Sequence, residues 1–511
     1  MAPGGLAGLH PLLFAAYPVL FLWSQNVGEI APGEVIQPLV MVVGGATVAT
    51  LGLGFLLGDR RRAALVVTPL VLGALLYGHV AGIADVSEAV RHAAWIGIVG
   101  LAAVGAVRLG GQRLTTIDTA LLRLGVIVLA VPLVAIIPYE VEEALRPTAA
   151  TVAREHSLAT TTNARKRDVY WIVLDRYGSD RSFELLYGAT NDLTPWLGER
   201  GFSVLADSHA NYVATSMSMA TTLNMAHLDE ITGLVQSESS SYAPVYSRLQ
   251  SSPVVQQFKA LGYRYLHLGS WWNPTRIDVA ADVNYNADTV SEVTSLVIQY
   301  SVAPRIVEAL GLEDQAPTER PKHHRHNEYA LDTLDRLRDE PGPKFVLAHL
   351  LLPHPPYVFD RDGRYIPIEE AATLDPTDAW HRQLEYTNSR LRSFVDGLLA
   401  LPHERRPIII LQADEGPWTA AYGADKDHYD WRTASLEDLE IKFGILNAWY
   451  VPGGADLGLD PTMTAINTFP VLFARYFGLD YDPLQDRVMA SAGWLRPYQL
   501  IDITERLPSL E

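Results

Sequence analysis

The chain is 511 residues long, carries a formal net charge of -18 and contains no cysteine. Its length exceeds one ordinary domain, and the missing thiols exclude disulfides and thiolate metal sites. The acidic balance argues against a nucleic-acid partner, because phosphate backbones demand basic grooves, although a local phosphate site remains compatible with it.

The charge is unevenly spread. Residues 1–150 hold eight Arg, no Lys and nine acidic residues, so nearly all of the negative charge lies beyond them. Five apolar stretches occupy this first part, near 9–23, 35–57, 63–84, 93–107 and 121–138. A helix crossing ~30 Å of hydrocarbon needs about 20 apolar residues; the second and third stretches have that length, the first and fourth are short. No polar face recurs at helical spacing, which argues against a soluble helical core. A cleaved signal peptide would be one short segment after a basic start. Five transmembrane helices are therefore expected within residues 1–138.

Arginine placement orients them. Arg60, Arg61 and Arg62 follow the second stretch, and Arg108, Arg113 and Arg123 follow the fourth. The connection after the first has no basic residue, and the one after the third has only Arg91. The positive-inside rule puts the N-terminus inside and everything after the fifth span outside. The expectation is a multi-pass plasma-membrane protein with an extracytoplasmic C-terminal domain. Residues 139–167 are polar and Ala/Thr-rich, a linker that begins as a helix at the membrane surface.

From residue 168 the pattern changes. "VYWIVLD" reads as a buried strand ending in Asp175. "FKALGYRYLHLGS" reads as a helix end, a turn at Gly262 and a strand. "KFVLAHLLLPHPPY" and "RPIIILQADEGP" are further strands, with helical stretches near 328–338 and 380–399. The alternation predicts an α/β domain over 168–511 with a mostly parallel central sheet. Ligands of such sheets bind beyond the carboxyl ends of the strands.

Polar residues gather at those ends: Asp175, His267, His349 with His354, and Asp414 with Glu415. Several carboxylates cannot share a desolvated pocket unless one takes a proton or a metal neutralises them. Carboxylates with a hydroxyl form a hard, all-oxygen set that favours Mg²⁺, Mn²⁺ or Ca²⁺ over zinc. The competing reading is that Asp175 and Asp414 merely cap helices. The HHRH run at 323–326 reads as solvated surface, since adjacent histidines cannot all face one ion. Asp375, Asp378 and His381 lie close in sequence without convincing ligand spacing, and His428 is a lesser candidate.

In order and layout these motifs resemble the alkaline phosphatase/sulfatase superfamily, and within it the membrane-anchored lipoteichoic acid synthases and lipid phosphoethanolamine transferases. The resemblance implies five spans, an extracytoplasmic alkaline-phosphatase-like domain and one divalent ion, Mn²⁺ or Mg²⁺ with Ca²⁺ as a further candidate. It makes Asp175 a metal ligand. It makes Thr215, in "ANYVATSMSMATTLNM", both ligand and nucleophile, with Ser216 and Ser218 as fallbacks. Asp414 and Glu415 become two more ligands, although Glu415 stands where the family has His and adds a negative charge. "HLGSWWNPTR" offers His267, Trp272 and Arg276 for substrate, the Arg displaced by a Pro-Thr insertion. "PHPPY" offers His354 for substrate binding and catalysis. For His267 and His354 the competing reading is a buried ring bonded within its own loop.

The implied reaction moves a phosphoglycerol- or phosphoethanolamine-type group from a phospholipid or lipid-linked donor, through phosphothreonine, to a glycan or lipid acceptor of the cell envelope. Two alternatives stand beside it: a hydrolase of an envelope ester, and a non-catalytic membrane-anchored binding protein. Sulfate ester hydrolysis fits poorly, because it needs a Cys or Ser in a C/S-x-P-x-R context and "TSMSMA" has neither that Pro nor that Arg.

Overall fold

A computed structural model of the chain describes residues 6–80, 87–145, 158–232, 239–250, 252–287, 290–312, 315–453 and 457–507. The chain divides into two compact units: Met1–Arg146 with Val290–Lys322, and Pro147–Thr289 with His323–Glu511.

In the first unit, helices His10–Gln25, Ile36–Leu57, Arg60–Leu75, Glu88–Arg108 and Gly111–Leu145 overlap the five apolar stretches. The expectation of five spans is nevertheless corrected. Among the described residues three helices are long and apolar enough to cross a membrane: Pro32–Leu57, Val90–Arg108 and Gly111–Leu145. His10–Gln25 and Arg60–Leu75 have 16 residues each, about 24 Å at 1.5 Å per residue, short of ~30 Å of hydrocarbon. The first stops where Ser24 and Asn26 turn their side chains onto the carbonyls of Phe21 and Leu22, which competes with continued helix. The other starts at Asp59, whose carboxylate accepts the N–H groups of Arg61 and Arg62. The far end of its stretch, 81–84, lies outside the described residues. Gly111–Leu145 runs 35 residues and absorbs 139–145, the helical start expected of the linker. Residues 146–157 lie outside the described residues, and 158–167 form neither helix nor strand.

Residues 290–322 belong to this unit although they follow strands of the second. The Gln37 side-chain oxygen accepts the Ser291 N–H at 3.0 Å and the Thr294 hydroxyl at 3.1 Å. Val293 and Val297 pack among Ala15, Val19, Val35 and Val42. Val302 N–H donates to Ala74 and Gly78 N–H to Tyr300, each at 2.8 Å, and His79 stacks on Tyr300. Gln37 opens one helix and Ala74 closes another. Gly58 and Asp59 join the opposite ends of the same two helices, and Arg60, Arg61 and Arg62 open the second of them.

The second unit is α/β. Its strands are β1 Val169–Leu174, β2 Ser203–Val204, β3 Arg264–Leu268, β4 Val283–Tyr285, β5 Lys344–Leu350, β6 Ile408–Ala413, β7 Asn447–Tyr450, β8 Met489–Ser491 and β9 Leu500–Asp502. Seven form one sheet in the order β2-β7-β6-β1-β5-β3-β4, and β8 pairs with β9 apart from it. β6, β1, β5, β3 and β4 run parallel, and β7 is antiparallel to β6. β1 and β6 are buried at every residue, which is why they read as continuous apolar runs rather than alternating ones.

Register places the chemistry. Leu174 lies level with Leu350 on one side and Ala413 on the other. The next residues of β1 and β6 are Asp175 and Asp414, so both carboxylates leave the sheet at the same height. His349 is level with Val173. Side chains alternate along a strand, so Val173, Asp175, His349 and Asp414 share one face. Trp171, Val173, Leu347 and Ile410 on that face pack with Met217, Met219, Ala220 and Leu223 of the helix Thr215–Asn224. That packing brings the helix start to the same corner.

Candidate active site

Asp175, His349 and Asp414 converge: one ligand atom from each lies within 4.8 Å of the others. All three are buried, at 4, 1 and 3 % exposure. Among the described residues, Asp175 Oδ1, Asp414 Oδ2 and His349 Nε2 each have no hydrogen-bond partner. Unpaired buried polar atoms are costly, and three aimed at one point suit a cation. The Thr215 hydroxyl bonds to Asp414, while Asp414 Oδ1 also accepts the backbone N–H of Arg176 at 3.2 Å and of Glu415 at 2.8 Å. Ser218 instead donates its hydroxyl to the Tyr212 carbonyl, 3.0 Å away.

Electrostatics point the same way. Burial, then the neighbouring charge of Asp414, holds the Asp175 carboxyl well above the usual range. Burial, then Glu415, pushes Asp414 up to about 7. Burial lowers His349 to about 3, so its ring is a neutral donor of a lone pair. A divalent ion would invert this logic and hold both carboxylates ionised. The residues present therefore fit a metal, which Asp175, Asp414 and His349 could hold with the Thr215 hydroxyl beside them.

This donor set differs from the all-oxygen set expected from sequence. Glu415 is engaged elsewhere: Lys442 Nζ lies 2.8 Å from its Oε2, and Arg176 Nε and Trp418 Nε1 donate to its Oε1 at 3.1 and 3.0 Å. Lys442 is fully buried, and desolvation lowers its pKa against the opposing pull of Glu415. Gly416 makes the approach feasible, since a Cβ there would sit 2.3 Å from the Ile441 carbonyl and 2.7 Å from that of Lys442. Glu415 thus turns to Lys442, Arg176 and Trp418, and the imidazole of His349 lies beside Asp175 and Asp414 instead.

His349 was legible as a strand-end histidine, but its support was not. The Thr275 hydroxyl bonds Nδ1 at 2.8 Å, which leaves Nε2 facing the carboxylates; partners of this kind orient ligand histidines. Thr275 lies in the Pro-Thr insertion that displaces Arg276. Ser270 bonds the same hydroxyl at 2.8 Å. Trp272 stands edge-on to His349 with ring centres 6.3 Å apart. His267 has both nitrogens occupied, Nδ1 by the Tyr265 hydroxyl at 3.0 Å and Nε2 by the Thr275 carbonyl at 2.9 Å, and burial lowers its pKa. It braces the loop. Arg276 ends the helical turn Asn273–Arg276, half-buried, and its carbonyl accepts the Asn286 amide at 3.0 Å. His354 bonds through Nδ1 to the Pro355 carbonyl, and burial followed by the charge of Arg176 holds its pKa well below the usual imidazole value.

The HHRH expectation is corrected. His323 and His326 are buried, and the His326 Nε2 meets the Gly269 carbonyl at 2.8 Å, while the Trp271 indole donates to His323 at 3.1 Å. His324 turns away to the Gly363 carbonyl. Helical spacing separates the rings, so they pin loops rather than gather an ion. Asp375 caps the helix Pro376–Leu399, Asp378 pairs with Arg382 at 2.9 Å, and His381 packs on Trp380. His428 is exposed and bonded to Asp425.

No protein-family model and no curated protein matches the sequence. Solved structures do. The chain is similar to the integral membrane protein lipooligosaccharide phosphoethanolamine transferase A (EptA) from Neisseria meningitidis, at 12% identity and TM-score 0.41, over 92% of this chain and 94% of that one. It is similar to the C-terminal periplasmic domain of EcEptC from Escherichia coli, at 13% identity and TM-score 0.39, over 68% of this chain and 95% of that one. It is likewise similar to BT1596, a 2-O GAG sulfatase, at 13% identity and TM-score 0.40, over 68% and 86% of the two chains.

Proposed function

We propose that this chain is a membrane-anchored, metal-dependent transferase that takes a phospho-alcohol group onto Thr215 and delivers it to an acceptor hydroxyl of the cell envelope. The observation that carries this reading is the convergence of three unpaired buried donor atoms beside the Thr215 hydroxyl. A divalent ion at that point supplies positive charge that lowers the pKa of the hydroxyl and neutralises phosphoryl oxygens. With an imidazole beside two carboxylates, Mn²⁺ suits the donors better than Mg²⁺ or Ca²⁺.

The side chains of the protein do the rest. Asp414 accepts the hydrogen bond of the Thr215 hydroxyl and aims its oxygen for in-line attack on phosphorus. The O–P bond to Thr215 forms as the P–O bond to the donor alcohol breaks, and the proton that Thr215 gives up leaves on that alcohol. Thr215 sits at the first turn of its helix, whose positive end favours the incoming anion. His354 keeps its proton on Nδ1, facing the Pro355 carbonyl, so Nε2 is the lone-pair side. In this reading it takes the proton of the second hydroxyl when the phosphothreonine is attacked. A donor lipid is consistent with a site on the same chain as three membrane-length helices. Phosphoethanolamine or phosphoglycerol lipids are the donors to try.

The test is mass spectrometry of the full-length protein after incubation with Mn²⁺ and each candidate phospholipid. A head-group phosphate adduct on the Thr215 peptide, lost in Thr215→Ala, is the expected result. Unmodified Thr215 with every lipid, or unchanged turnover in Thr215→Ala, rejects the covalent route.

A further inference from the structure

Arg176 follows Asp175 directly and adopts φ +58°, one of two non-glycine residues in the left-handed region among those described. A long side chain in that conformation is strained, and such strain concentrates at functional sites. Here it turns the chain so that the backbone N–H of Arg176 reaches Asp414 Oδ1. The side chain then lies flat on Trp418, with the guanidinium carbon 3.6 Å from the ring centre. Its Nε donates to Glu415 Oε1, the same oxygen that receives the Trp418 indole N–H. Glu415 and Trp418 thus fix the guanidinium on two sides. The side chain is 14% exposed, and its two terminal amino groups make no hydrogen bond among the described residues. Those groups offer four N–H donors. The charge also bears on His354, Tyr187 and Tyr357.

The charge balance leaves Arg176 in surplus. Lys442, at 2.8 Å, already neutralises Glu415, and a divalent ion held by Asp175 and Asp414 would match their charges. Resting on the group-transfer reading above, we propose that Arg176 is the anion clamp of this site: its Nη1 and Nη2 hold two oxygens of the transferred phosphoryl group, while Glu415 and Trp418 position it. Glu415 thereby has a role that is not metal ligation, which accounts for a third carboxylate at the strand end. Planar, forked donors match two phosphoryl oxygens in a way a lysine ammonium does not.

The test uses the full-length, Mn²⁺-loaded protein and inorganic phosphate as probe, with calorimetry for affinity. Arg176→Lys keeps a positive charge against Glu415 and so preserves the fold; Arg176→Ala removes it. The expected result is phosphate binding weakened about tenfold or more in Arg176→Lys, with metal content and melting temperature unchanged. Phosphate should also quench tryptophan emission in wild type, and much of that quench should vanish in Trp418→Phe. Equal phosphate affinity in wild type and Arg176→Lys overturns the proposal. So does a loss of affinity that tracks loss of metal. Phosphate binding is read without turnover, so an unlabelled Thr215 would reject the covalent route and leave this measurement standing.

Discussion

Asp414 carries three demands at once: it bonds the Thr215 hydroxyl, anchors the backbone of Arg176 and Glu415, and sits beside a buried second carboxyl. Its pKa of about 7 follows from burial and from Glu415. An unfolded aspartate ionises near 4. Between about 4 and about 7 the unfolded chain therefore holds fewer protons than the folded one at this residue, and stability falls as pH rises. Metal-free protein should lose thermal stability across that window. Added Mn²⁺ should restore it, and more strongly at pH 8 than at pH 5, because ligation needs the ionised form. Thermal melts at the two pH values, with and without Mn²⁺, check this; an equal Mn²⁺ shift at both would mean that Asp414 is not a ligand. At this same scale Asp175 and Asp414 were legible as polar residues at strand ends, which is a local signal, whereas Thr215 came only from the family resemblance. The sequence did not separate Glu415 from His349, since adjacency in sequence says nothing about which side chain reaches across from the neighbouring strand.

Among elements, the parallel register of β6, β1 and β5 levels the two aspartates, and the loop after β3 aims the histidine. That loop closes tightly. A Cβ on Gly269 would lie 2.0 Å from the Arg276 carbonyl oxygen, a distance at which backbone must move. Gly269→Ala should push the 273–276 turn away and draw Thr275 off His349 Nδ1. Losing such an orienting partner typically costs 10–100-fold in metal affinity, and that loss, read by Mn²⁺ titration, is the expected outcome. Unchanged affinity would show that Thr275 does not set the imidazole. "GSWWNPTR" revealed none of this, because it looked like a disturbed substrate motif; the Pro-Thr insertion brings Thr275 to the back of the imidazole.

For the whole molecule, the arginine rule and the packing of residues 290–322 bear on one question. These residues, which arise within the C-terminal part of the sequence, pack against the ends of helices Ile36–Leu57 and Arg60–Leu75 remote from Arg60, Arg61 and Arg62. If the arginines face the cytoplasm, the segment faces outward. The chain has no cysteine, so single cysteines report cleanly. Leu312→Cys should react with a membrane-impermeant maleimide on intact cells, and Arg60→Cys only after permeabilisation. The reverse pattern would invert the topology. Exposed Tyr300, Ile306, Leu310 and Leu312 lie along this segment.

The sequence by itself determined what depends on neighbours along the chain: the apolar helices, the change to an α/β pattern at residue 168, the buried parallel strands, and the acidic ends of β1 and β6. Only the tertiary structure decided what depends on strand order and on packing between distant segments. It brought His349 beside the two aspartates, paired Glu415 with Lys442 and Arg176, buried His323 and His326, assigned residues 290–322 to the helical unit and, among the described residues, left three helices of membrane length where five spans were expected. Hydrophobic periodicity and capping are short-range and repeat in sequence. Register, ion pairing and packing between distant segments are settled by contacts the sequence does not order.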